Sequence, residues 1–89
     1  MRAVITVIGK DMVGILAKVS GGCAGVNANV IEVTQSVLQD LFAMIMLVDT
    51  SKMSCDFTAF SEAMSGIGRE MGLSVHVMHE DIFNSMHRI

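Results

Sequence analysis

The sequence has no proline, no tryptophan and no tyrosine, and only two of its 89 residues are cysteine. No stretch rich in proline, serine or glycine could act as a linker, so we expect a single domain over residues 1–89. Cys23 and Cys55 lie far apart and form no C-x-x-C pair, which argues against a metal knuckle or a redox dithiol. A chain this short buries limited surface on folding, so self-association would add stability.

Positive charge is also scarce. Six Lys plus Arg residues stand against nine Asp plus Glu residues, for a formal net charge of −3. Without a basic stripe, and with neither Trp nor Tyr to form a stacking platform, we expect no binding of nucleic acid. The longest apolar run, LFAMIMLV at residues 41–48, is far shorter than the roughly 18–20 residues of a membrane helix. Residues 3–8 are too few for a signal-peptide core. We therefore expect no membrane association and a cytoplasmic location.

The first half of the chain switches from a strand pattern to a helix pattern and back. Residues 2–8 are almost all apolar or β-branched, which is typical of a buried strand. From Met12 the apolar residues take helical spacing, which predicts a helix that ends near Gly25. Glycines weaken this helix, and we expect Gly22 to lie flat against the sheet.

A strand hairpin follows. Residues 27–37 alternate in steps of two, which predicts a half-exposed edge strand with Val30 and Val33 on opposite faces. Asn27 is the expected left-handed residue before it. Residues 38–40 form the predicted turn, and the apolar run after them predicts a central third strand.

The clearest helical periodicity lies in the second half of the chain, in Phe57, Phe60, Met64, Ile67 and Met71. It predicts a second helix, with Ser54 as N-cap and Gly72 in the left-handed C-terminal position. A last strand is predicted over residues 73–79. Beyond it we expect a short amphipathic turn within residues 80–89.

The predicted order β-α-β-β-α-β is that of an α+β ferredoxin-like sandwich, a four-stranded antiparallel sheet with two helices on one face. The other face of the sheet would then have no cover from the chain itself, although its central strands carry apolar residues on both sides. A homodimer that covers this face is the simplest expectation.

The stretch GKDMVG at residues 9–14 joins the first strand to the first helix. It matches neither phosphate-binding fingerprint, since Ile15 and Leu16 stand where a P-loop has Lys and Ser or Thr. The backbone N–H groups around Val13, Gly14 and Ile15 could instead hold a carboxylate, with Asp11 accepting from an ammonium group. The alternative is that the glycine and aspartate serve only as ordinary cap residues.

Catalytic and metal-binding patterns are weak. No Ser, His and Asp set has a recognisable spacing, and no arginine lies in the turn, as a hydrolase of acylphosphatase type would need. His76 and His79 are three residues apart on a predicted strand, so they point to opposite faces. A cluster of His79, Glu80, Asp81 and His87 would need the tail to fold back. We predict no catalytic residue, no metal and no cofactor.

The run GKD-x-x-GILAKV, the asparagine at the start of the second strand and the apolar third strand ending in MLVD resemble an ACT domain, in particular its bacterial stand-alone branch. The resemblance extends over essentially the whole chain. It implies a βαββαβ fold, side-by-side pairing of domains into a larger sheet, and a small amino acid or related metabolite bound between two domains.

The resemblance also implies the residues of the site. Ligand contacts would come from Asp11, Met12, Val13, Gly14 and Ile15 in the turn, and from Asn29, Val30 and Ile31 of the facing domain. Many ACT domains have proline where this chain has Val13. The implied function is a non-enzymatic, homodimeric amino-acid sensor, and the alternative is an adaptor that recruits a protein partner without a small ligand.

Overall fold

A computed structural model describes residues 1–86 of the chain. In chain order the elements are β1 Arg2–Lys10, α1 Ile15–Gly25, β2 Asn29–Leu38, β3 Leu41–Asp49, α2 Phe57–Met71, β4 Ser74–His79 and α3 Glu80–Met86. The strands form one antiparallel sheet in the order β2-β3-β1-β4. The predicted ferredoxin-like fold is confirmed, with the second strand at an edge and the third in the centre.

The core lies between the sheet and the helices α1 and α2. Alternate residues of the central strands, such as Ile5 and Met46, are fully buried there, and Phe60 and Met64 of α2 are buried with them. These apolar side chains stabilise the fold by about 1.5–3 kcal/mol each relative to an exposed position. The apolar residues that show two-residue spacing in the strands and helical spacing in the helices therefore face the same core.

The β1 strand runs two residues further than predicted, and α1 begins three residues later. Gly9 and Lys10 still pair with β3, and α1 starts only at Ile15, because Gly14 has a left-handed backbone that no helix interior accommodates. The predicted start at Met12 is therefore wrong, and the connecting turn is residues 11–14.

Gly22 lies against the second helix and not against the sheet. A Cβ built on Gly22 would come within 2.6 Å of Met64 Cε and 2.7 Å of Ile67 Cδ1. The missing side chain lets α1 and α2 approach each other closely, and the prediction that this glycine contacts the sheet is wrong. An ion pair between Lys18 and Glu70 at 3.1 Å joins the exposed sides of the same two helices.

A bulge interrupts β2. Val30 pairs with Val48, the next paired residue of β2 is Glu32, and Ile31 is the extra residue. Because of this shift, Val30 and Val33 both pack against the core. The prediction that they lie on opposite faces is wrong.

The ends of α2 are capped by specific residues. The Asp56 carboxylate accepts a hydrogen bond from the Ala59 N–H at 2.8 Å, so Asp56 and not the predicted Ser54 is the N-cap. Gly72 closes the helix with a φ of 72°, which confirms its predicted left-handed position. Asn27, with a φ of 62°, is also left-handed as predicted.

The face of the sheet away from α1 and α2, here called the open face, is partly covered by α3. The Arg2 guanidinium donates two hydrogen bonds to the Glu80 carboxylate, at 3.0 and 2.6 Å, which fixes the start of α3 beside β1. The amphipathic turn expected within residues 80–89 is thus a helix of seven residues. The predicted partner residue His87 lies outside the described residues. None of the helices in residues 1–86 has the length and apolar character of a membrane span.

Candidate functional site

The turn of residues 11–14 leaves the sheet at the end where Lys10 pairs with Leu41, beside the β2–β3 hairpin. The backbone N–H of Asp11 donates to the carbonyl oxygen of Asp40 in that hairpin at 2.8 Å. This bond ties the turn to the hairpin and uses the Asp11 N–H, whereas the exposed carboxylate of Asp11 is still available to a ligand. Within residues 1–86 that carboxylate has no hydrogen-bond or ion-pair partner.

Gly14 has a φ of 91° and a ψ of 5°. These angles match the third position of a type II turn, in which Val13 occupies the second position. A Cβ on Gly14 would meet no other part of residues 1–86 within 4 Å. The glycine is therefore required by its backbone angle, and the space beside it is open.

The N-terminus of α1 carries hydrogen-bond donors without acceptors. Its first backbone bond runs from the Lys18 N–H to the Gly14 carbonyl at 2.9 Å, and no side chain among residues 1–86 accepts from the first turn. The N–H groups of residues 15–17 therefore have no intrahelical acceptor and lie at the positive end of the helix dipole. A carboxylate is a suitable acceptor at this position.

The side chains of the turn differ in availability. Val13 is fully exposed and Met12 is 40% exposed, so both apolar side chains can contact a ligand or a second copy. Ile15 is buried in the core and offers only its backbone.

The other predicted residues lie at the start of β2. Asn29 is exposed and lines a polar pocket of about 300 Å³ together with Asn27, Asp49, Ser51 and Lys52. Val30, in contrast, is turned into the core by the bulge, so its side chain does not reach this pocket. Ile31 at the bulge is 45% exposed.

The pocket beside Asn29 is held in shape by two hydrogen bonds. The Asn27 Nδ2 donates to the Lys52 carbonyl oxygen at 2.9 Å, and the Asp49 Oδ1 accepts from the Ser51 N–H at 2.9 Å. The hydrogen bonds from Ser51 lower the pKa of the Asp49 carboxyl, so this group is a carboxylate at neutral pH. The pocket thus offers a carboxylate, an ammonium group and the free amide of Asn29.

One chain does not bring the two parts of the predicted site together. The turn follows the Lys10 end of β1, whereas Asn29 pairs with Asp49, which in turn pairs with Arg2 at the other end. Eight residues of strand separate the two ends, or about 26 Å at 3.3 Å per residue. A small ligand therefore cannot contact both parts within one chain.

No group of three or more His, Cys, Asp or Glu side chains suited to a metal occurs among residues 1–86. His79 stacks on Phe57 with ring centroids 4.2 Å apart, on the face covered by the helices. His76 is exposed on the open face.

The sequence profile described as ACT domain matches residues 2–78. The chain belongs to the ACT-domain family. This ACT domain is 48% identical over 88 residues to a UPF0237 protein of Methanococcus maripaludis, across 99% of this chain and 98% of the relative. It resembles the solved ACT domain protein from Streptococcus pneumoniae with a TM-score of 0.81 and 34% identity, over 93% of both chains. The regulatory subunit of aspartate kinase from Thermus thermophilus matches with a TM-score of 0.66 and 26% identity, over 85% of this chain and 49% of that chain.

Members of this family are regulatory domains that bind amino acids or related metabolites, which agrees with the class of function that the sequence predicts. Sequence reasoning missed Asp49, Ser51 and Lys52 of this ACT domain as neighbours of Asn29. The sequence does contain a pattern that points to these residues, because Asp49 ends the MLVD stretch of the resemblance and a polar stretch follows it. Only the pairing of β2 with β3 places them beside Asn29.

Proposed function

We propose that this chain is a non-enzymatic, cytoplasmic sensor whose single ACT domain, residues 1–89, binds a small amino acid or related metabolite between two copies. The observation that carries the proposal is the separation of the two parts of the site in one chain. The turn of residues 11–14 and Asn29 lie at opposite ends of the sheet, while the whole outer edge of β2 is unpaired in the described chain. If the β2 edges of two copies pair, the turn of one copy comes close to Asn29 of the other.

The proposed pairing has simple geometry. An antiparallel pair of β2 strands with its twofold axis beside Thr34, and with the bulged Ile31 left out of the pairing, places Asn29 of one copy opposite Leu38 of the other. Leu38 adjoins the β2–β3 hairpin to which Asp11 is bonded. The polar pocket of each copy would then approach the turn of the other, and the two sheets would become one of eight strands.

The charges of the two parts suit a zwitterion. The uncapped N-terminus of α1 provides N–H donors for a carboxylate. The Asp11 carboxylate, together with Asp49 and the Asn29 amide oxygen of the second copy, provides acceptors for an ammonium group. Val13 and Met12 provide apolar contacts for the ligand side chain.

The test is a thermal unfolding screen of the purified chain against the twenty amino acids and common purines. A ligand at 100 times its Kd that binds only the folded state adds about 2.7 kcal/mol per site. We expect one ligand to raise the Tm of the parent and of the surface control Glu62→Ala, but not of Asp11→Ala or Asn29→Ala. A ligand that stabilises all four chains equally would bind elsewhere and contradict the site.

Mixing the two inactive variants tests whether the site is shared. In a mixed dimer of Asp11→Ala and Asn29→Ala, one site has both substitutions and the other has neither. A 1:1 mixture with random pairing should therefore regain about a quarter of the parent's sites. If both residues acted within a single chain, the mixture would bind nothing.

The adaptor function is the second candidate, because a long unpaired β2 edge can also accept a strand from another protein. This function would be favoured if no ligand of the panel changed the Tm and a partner protein bound equally to the parent and to both alanine variants. An assay of acetyl phosphate turnover tests for a hydrolase of acylphosphatase type, and we expect no turnover.

A further inference from the structure

A second cavity lies on the open face, on the side of the sheet away from α1 and α2. It is a groove of about 560 Å³ between the sheet and α3, within the roughly 300–1,000 Å³ range of small-molecule sites. Its floor and wall include Thr6, Ile8, Ile45, His76, Phe83 and Met86. Ile8, Ile45 and Met86 are 49%, 43% and 64% exposed, so this apolar surface has no cover within residues 1–86.

Two polar side chains lie together in the floor. Thr6 of β1 and His76 of β4 are paired residues in the sheet register, so their side chains are neighbours on the same face. Neither side chain has a hydrogen-bond partner in the part of the chain that the structure describes. A hydroxyl and an imidazole N–H can both donate, so together they suit a group with two acceptor oxygens.

The described lining contains no Asp, Glu, Lys or Arg side chain. An ammonium group placed here would lose water without gaining an acidic partner, which disfavours zwitterionic amino acids. A carboxylate would meet two donors and no acidic neighbour. The chemistry of this groove therefore differs from that of the site between the two copies.

The size of the floor favours a small ligand over a protein partner. It spans three strands and about two residue rows, or roughly 15 Å by 7–10 Å at normal strand spacing. A stable protein interface buries about 800 Å² per partner, several times this area, and would also have to cover Leu38 and Leu41, which continue the exposed apolar surface of this face. The wall formed by α3 also makes the surface concave, which suits an enclosed molecule.

We infer that this groove binds a small monocarboxylate with an aromatic or branched aliphatic body, and that Thr6 and His76 hold its carboxylate. The apolar body lies on Ile8 and Ile45, against Phe83 and Met86 of α3. This site is separate from the turn of residues 11–14, and its occupancy does not depend on the proposed amino-acid site.

The test is an amide NMR titration of the full chain with 4-phenylbutyrate, compared with 4-phenylbutyramide and 4-phenylbutylamine. We expect shifts in β1, β4 and α3, with the carboxylate bound at least about tenfold more tightly than the amine, because the ammonium group can accept neither hydrogen bond. The double variant Thr6→Val and His76→Phe keeps the apolar surface. It should weaken the carboxylate about tenfold and the neutral amide by less, because hydrogen bonds to a charged acceptor are the stronger ones.

Two further variants keep the test decisive. Ala43→Phe fills the groove and should abolish binding of all three probes, while Asn29→Ala, at the other site, should change none of them. Shifts centred on residues 11–14, or equal binding of acid and amine, would overturn the proposal. So would a concentration-dependent association of the parent that Ile45→Asp abolishes, because the groove would then be occupied by a second copy.

Discussion

The N–H of Asp11 donates to the carbonyl oxygen of Asp40 across 2.8 Å, and this bond joins the turn after β1 to the hairpin that ends β2. The bond therefore connects two elements of the proposed site: the β2 edge strand, which would pair with a second copy, and the turn of residues 11–14, which would hold the ligand. A shift of the β2–β3 hairpin on pairing would move the turn with it. The linkage gives ligand binding and association a shared structural element, which is the requirement for coupling between them.

Removing this bond should destabilise the chain. Asp11→Pro lacks the N–H and leaves the Asp40 carbonyl without its donor, so we expect a loss of about 1–3 kcal/mol in the free energy of unfolding. Urea denaturation measures the loss. Asp11→Ala keeps the N–H and is the matched control, expected within about 0.5 kcal/mol of the parent. Equal losses in both variants would assign the effect to the carboxylate instead.

Val13→Pro should stabilise the chain. The Gly14 angles match the third position of a type II turn, and proline is favoured at the second position, which is Val13 here. The Val13 N–H makes no backbone hydrogen bond within residues 1–86. We expect a gain of about 0.4–1 kcal/mol through the lower entropy of the unfolded chain. The valine found here in place of the proline common among ACT domains then costs stability without changing the turn.

The companion substitution Gly14→Ala tests the same turn from its other central residue. The φ of 91° is strained for any residue with a Cβ, even though the space beside Gly14 is open. We expect a loss of about 1–2 kcal/mol, measured by the same denaturation. A neutral result would mean that the turn changes type in the variant.

The N-cap of α2 gives a fourth prediction. Asp56→Ala removes the hydrogen bond to the Ala59 N–H and should cost about 0.5–2 kcal/mol. Ser54→Ala is the matched control and should be nearly neutral, because the exposed Ser54 side chain makes no hydrogen bond within residues 1–86. If Ser54→Ala lowered the free energy of unfolding more than Asp56→Ala did, Ser54 would be the N-cap, as the sequence predicts.

Local patterns predicted the order of the elements because each face of a strand or helix repeats with a fixed period. They did not predict the bulge at Ile31, since an apolar residue fits an alternating pattern whether or not it is paired. They also could not choose between Ser54 and Asp56, which are both good caps within two residues of each other.

The candidate site shows the same division. The turn of residues 11–14 is contiguous in sequence, so its glycine and aspartate could be recognised directly. The pocket around Asn29 depends on the register that places Asp49 beside it, twenty residues later in the chain. Such long-range neighbours carry no local periodicity, and only the strand pairing brings them together.

The Asp49 carboxyl gives a prediction about pH. Hydrogen bonds from Ser51 lower its pKa in the folded chain below the roughly 3.9 of an unfolded aspartate. The resulting stabilisation is fully present above the unfolded pKa and is lost as the pH falls through the folded pKa. In Asp49→Asn this contribution is absent. The difference in urea midpoint between parent and variant should therefore shrink from pH 6 towards pH 2.5, and a constant difference would contradict the assignment.

The two cysteines should differ sharply in reactivity. Burial raises the pKa of the Cys23 thiol to about 11, so at pH 8 only about one thiol in a thousand is ionised, and the side chain is also shielded from reagents. Cys55 is half-buried and lies in the loop before α2. With a disulfide reagent such as 5,5′-dithiobis(2-nitrobenzoate), we expect Cys55 to react in the folded chain and Cys23 to react only in denaturant. Cys55→Ala should then show no labelling before unfolding, whereas prompt labelling of that variant would mean that α1 opens readily from the sheet.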